Sequence, residues 1–100
     1  MALESVRAEL KGRIAAIDVG AASRADLARE IDAIRAVAHR EGLHPAVTVA
    51  HLLDDALSRG ERGPLLRGWL SVLSDAVASD RRDAAACDTF AAACAVRFIG

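Results

Sequence analysis

Residues 64–79 read PLLRGWLSVLSDAVAS and residues 84–99 read AAACDTFAAACAVRFI, and these two stretches decide the fold. The first holds only Arg67 and Asp75 as charged residues, the second only Asp88 and Arg97. A lone surface helix shows one apolar stripe and an opposite charged face. A helix apolar over most of its girth must be covered on several sides, by its own chain or by a second copy. In the first stretch Leu65, Leu66, Trp69, Leu70, Val72, Leu73, Ala76 and Val77 leave little polar face. In the second, Cys87, Phe90, Ala91, Cys94 and Phe98 make one stripe, with Asp80 and Asp83 placed ahead of it as a cap.

Toward the N-terminus the same period recurs with more charge. Leu3, Val6, Leu10, Ile14 and Ile17 mark a first helix. Glu4 with Arg7 and Glu9 with Arg13 are pairs expected on its wet side. Asp18-Val19-Gly20 is expected to close it, with Gly20 as the stop. Ser23 with Asp26 three residues on resembles a capping box opening a second helix, whose inner stripe is Leu27, Ile31, Ile34 and Ala38. Glu41-Gly42-Leu43-His44-Pro45 ends it: Gly42 suits the left-handed position after a helix, and Pro45 the first turn of the next. A third helix then runs from about Pro45 to Ser58 or Arg59, with Val49, Leu52, Leu53, Ala56 and Leu57 facing inward and Gly60 as its stop. Val47-Thr48-Val49 has strand propensity, but the flanking alanines and leucines and the proline start outweigh it. Five segments with short connections predict an all-α domain spanning 1–100, five short helices in an antiparallel up-down bundle.

Composition narrows the function classes. The chain has 27% charged residues, a net charge of -1 and three aromatics, Trp69, Phe90 and Phe98. A nucleic-acid binder needs a basic excess, and stacking platforms need aromatics, so nucleic acid is not an expected partner. MALESVRAELKGR has no apolar signal core, and no run approaches the ~18 apolar residues of a membrane span. The expectation is a cytoplasmic protein without a membrane partner. Cys87 and Cys94, two helical turns apart, have Cα atoms about 10.5 Å from each other, beyond the roughly 4.4–6.8 Å that a disulfide spans. Both are expected as buried thiols, and no base lies near either in sequence to activate it.

Three candidate sites remain. His51, Asp54 and Asp55 lie within one turn, and His39 and His44 flank the nearby turn, so imidazole and carboxylate could converge on a metal or form an acid–base pair. The same residues read as a solvated ladder, His51–Asp55–Arg59 at four-residue steps. Residues 38–53 match helix-turn-helix spacing, yet PAVTVAHLLDDALSR has no cation before Arg59 and carries two aspartates that would face phosphates. An αα-hairpin with a glycine cap explains the same spacing. Phosphate loops, dinucleotide fingerprints and nucleophile elbows are absent. Thus no cofactor, metal site or catalytic residue is expected. The leading expectation is a non-enzymatic interaction or regulatory module acting through protein–protein contacts as a homodimer, with Leu66, Trp69, Leu70, Leu73, Val77, Phe90 and Phe98 as its candidate interface. A helix-turn-helix regulator and a metal- or ligand-binding helical protein are the alternatives.

Overall fold

The computed structural model describes residues 2–60, 64–79 and 84–95. Five α-helices carry the chain: α1 Ala2–Ala15, α2 Arg24–Arg40, α3 His44–Ser58, α4 Pro64–Ala78 and α5 Ala84–Cys94. No strand occurs among the described residues, so the protein is the all-α bundle that the five stripes predict. The β-prone Val47–Val49 run is helical, within α3.

The ends of α2 follow from short-range chemistry. Ser23 sits in extended backbone and its Oγ accepts from the Asp26 amide, satisfying one of the orphan donors of the first turn. At the other end the Leu43 amide donates to the Ala38 carbonyl at 2.8 Å and the Gly42 amide to the His39 carbonyl at 3.2 Å. This pair of bonds is the Schellman motif, and it requires the left-handed φ of +74° that Gly42 adopts. Leu43 is folded back into the core, and Pro45 enters the first turn of α3. Gly60 also takes a left-handed φ, +94°, after α3, with its amide on the Leu57 carbonyl.

The end of α1 departs from expectation. The helix stops at Ala15, five residues before Gly20, and Gly20 has no positive φ. The linker is instead folded by Asp18. Its carboxylate accepts from the Gly20 and Ala21 amides at 3.0 and 3.3 Å, and its carbonyl from the Ala21 and Ala22 amides. An aspartate side chain that mimics a backbone turn does here what glycine was expected to do. The cap expected from Asp80 and Asp83 for α5 lies outside the described residues.

Packing runs in the series α1–α4–α3–α2, and α5 lies against α3 and, less extensively, α4. Thus α1 docks chiefly on α4 rather than on its chain neighbour. The two are antiparallel: Arg7 near the start of α1 reaches Ser79 just past the end of α4, while Ala15, Ala16 and Ile17 line a hollow with Arg67 and Leu70 near its beginning. The slab is 16 Å through its thinnest direction, the thickness of about two helix layers at an interaxial spacing of 8–10 Å. One core joins all five helices, from Leu10 and Ile14 through Ile31, Ile34, Val49, Leu53, Trp69, Leu73 and Val77 to Cys94. Each large side chain enclosed there contributes roughly 1.5–3 kcal/mol relative to exposure. No helix among the described residues is long and apolar enough to cross a membrane.

Candidate functional site

The structure places the expected interface residues mostly inside. Trp69, Leu73 and Val77 are fully enclosed by the chain's own helices, and Leu66 and Leu70 are buried as well. Phe90 is half-buried against the core, and Phe98 lies outside the described residues. The low charge of α4 is therefore accounted for within the chain, since α1, α3 and α5 cover it from three directions. Leu65, at 42% exposure, is the one large hydrophobic side chain left in the open among the described residues.

Apolar surface open to solvent includes a patch between α2, α3 and α5. A hollow of about 380 Å³ there is lined by Arg35, Val47, Thr48, His51, Leu52 and Ala91. Val37, Val47, Leu52 and Phe90 are each packed against the core yet partly open. Leu52 was expected to face inward; it packs against the core but stays partly open. The buried positions of α3 are Pro45, Ala46, Val49, Ala50, Leu53, Ala56 and Leu57. At 100° per residue they fill an arc of about 140°, and Leu52 falls about 20° beyond its edge. Three alanines, Ala46, Ala50 and Ala56, which a hydrophobicity count ranks below leucine, lie on this inner face.

Charge frames this hollow. Arg35 is bound by Asp32 at 2.6 Å on its own helix, and that bond, helped by the field of Asp54 on α3, raises its pKa further above neutrality. His51 approaches Asp55 only to 3.9 Å, and both are more than half exposed. An exposed pair at that distance contributes at most about 1 kcal/mol. His39 and His44 are also exposed, and among the described residues no three His, Cys, Asp or Glu side chains converge on a point where a cation could sit. The outward side of α3 presents His44, His51, Asp55 and Ser58, and the helix contains no arginine or lysine with which to meet phosphate. The two cysteines differ: Cys94 is buried as expected, whereas Cys87 is only half-covered. The buried face of α5 carries Ala86 and Cys94, so the expected stripe is rotated toward Ala86.

A further polar feature went unread in the sequence. Arg7 was expected on the wet face of α1, and its pair with Glu4 is present at 3.3 Å, but Arg7 itself is 8% exposed. Its guanidinium donates to the Ser79 carbonyl at 3.1 Å, placing a cation at the C-terminal end of α4, where the helix dipole and the orphan carbonyls favour one. Arg13 likewise turns from Glu9 to Glu30 of α2, in a two-pronged bond at 2.9 and 3.0 Å. Neither choice is written in local spacing, because both partners come from other helices. No family model, curated protein or solved structure matches this chain.

Proposed function

We propose that this protein is a non-enzymatic interaction module that works as a homodimer and offers the α2/α3/α5 hollow of each copy to a helix of a partner protein. The observation that carries this reading is the position of Val47 and Leu52. Both are aliphatic side chains seated on the core but left partly open, and both line the hollow together with Arg35, Thr48, His51 and Ala91. An amphipathic helix with apolar side chains at positions i, i+3 or i+4 and i+7 fits a trough between helices of this kind, and the Arg35 and Asp54–Asp55 rims give such a helix its register.

A display library of amphipathic helical peptides, selected on the intact protein, tests the docking half. Enriched peptides are expected to present an apolar i, i+3/i+4, i+7 edge and to bind Leu52→Glu at least ten-fold more weakly, with the variant's circular dichroism unchanged. Enrichment that Leu52→Glu does not diminish overturns the assignment of the hollow. Sedimentation equilibrium tests the other half, the expected mass being twice the 10.5 kDa of one chain.

A further inference from the structure

The way α1 is held suggests how two copies join. Its principal contact is α4, some fifty positions further along the chain, and not α2, to which it is tethered. The tether is the segment 16–23, whose compact form rests on the Asp18 turn. Extended, eight residues span up to about 26–29 Å. Besides its apolar face, α1 is tied by directional bonds that include Arg7 to the Ser79 carbonyl and the Arg13–Glu30 pair. Nothing in these contacts requires that α1 and the α4 beneath it belong to the same molecule. If α1 lifts away, Leu10 and Ile14 and the α4 surface under them are uncovered, and the complementary surface for each is the same element of another copy.

We infer that α1 is an exchangeable arm and that the homodimer forms by reciprocal exchange, each copy's α1 lying on the α4 of the other. This rests on the homodimer reading above and names the surface that carries it. The exchanged dimer repeats every contact of the closed chain and differs from it only in the linker, the general basis of domain swapping. The closed form holds α1 beside α4 at an effective concentration on the order of millimolar for a short tether. Asp18 is the latch: the turn bonds it accepts exist when the linker is folded back and are given up when it straightens. Loss of the latch therefore shifts the balance toward the dimer, as does a linker too short to fold back.

The Arg13–Glu30 pair makes the exchange measurable. Arg13→Glu puts two acids together within a closed chain, and Glu30→Arg puts two arginines together. In an exchanged heterodimer of these two variants, position 13 of each chain meets position 30 of the other, and both encounters are between opposite charges. The two variants, one isotope-labelled, are unfolded together, refolded by dilution and weighed by native mass spectrometry. Heterodimer is expected well above the half share that random pairing gives, and the chain carrying both substitutions, in which the pair is restored, is expected to match wild type. Asp18→Ala, and separately deletion of residues 19–22, are expected to raise the dimer fraction several-fold, with helicity retained.

A random share of heterodimer overturns the exchange while leaving a homodimer of another geometry standing. Monomers throughout, in wild type and in the linker-shortened chain, overturn both the exchange and the homodimer. Folded monomer from the shortened chain alone overturns the hinge, since eight residues would then not be needed to close the molecule.

Discussion

The centre of this bundle and its edge are held by different physics. α3 and α4 each touch three other helices and meet them almost wholly through aliphatic and indole surface. α1 buries Leu10 and Ile14 but depends in addition on two arginines that reach other helices, Arg7 to Ser79 and Arg13 to Glu30. Apolar contact is non-directional and tolerates small shifts, whereas a guanidinium bond to one carbonyl specifies position. The lesson is a division of labour: the centre supplies stability, and the edge supplies address. An address can be satisfied by another copy of the same element, and a core enclosed on all sides cannot.

Substitutions at the two regions sharpen that contrast. The largest effect is expected at the centre, where Trp69→Ala removes a fully enclosed indole and leaves a cavity. Thermal or urea unfolding should register a loss of about 3–5 kcal/mol, a large part of the total stability of a chain this size. A loss under 1 kcal/mol would mean that α4 is covered less completely than the structure has it.

At the edge, Arg7→Met keeps the aliphatic stem and deletes the bond to the Ser79 carbonyl. The expected cost is about 1–3 kcal/mol, accompanied by faster amide exchange confined to α1 and the last turn of α4. Uniform acceleration across all five helices would break the distinction between edge and centre.

Gly42→Val tests the turn that joins α2 to the central α3. A β-branched residue forced to φ +74° is expected to cost roughly 1–2 kcal/mol. Retention of the wild-type midpoint would require the α2–α3 junction to be rebuilt.

The smallest effect is a pH dependence. Hydrogen bonding with Ser23, then bonding and charge attraction from Arg29, hold the Asp26 carboxyl below its ordinary value. A carboxylate with a depressed folded-state pKa binds fewer protons in the folded than in the unfolded chain. Its contribution is thus present above the ordinary aspartate value of about 3.9 and fades as pH falls below it. Asp26→Asn is expected to flatten stability slightly in that acid range and to leave its slope between pH 6 and 8 unaltered. A change of slope near neutrality would assign the titration to another group.

How far the sequence could be read depended on the range of the interaction concerned. The Ser23 cap, the Gly42 Schellman turn and the inner stripe of α2 were all legible, since each is settled within a few residues. Gly20 misled for a local reason as well: Asp18, two positions earlier, offers a side-chain acceptor that turns the chain without positive φ. That most of the candidate interface residues are buried within one chain has a longer-range reason. A charge-poor helix signals only that it is covered, and α1, α3 and α5 were each able to do the covering. The partial exposure of Leu52 has a similar origin, since it lies just past the edge of the arc of α3 that its neighbours bury.

By itself the sequence determined five helices and the ends marked by Ser23, Gly42, Pro45 and Gly60, because helix period and capping are properties of neighbours in the chain. Tertiary structure alone decided that α1 lies on α4 instead of α2, that Arg7 goes inside to meet the end of another helix, and that Val47 and Leu52 are left half-open while Trp69 is sealed. These outcomes depend on which surfaces meet across tens of residues, and on how much space remains between them once they do.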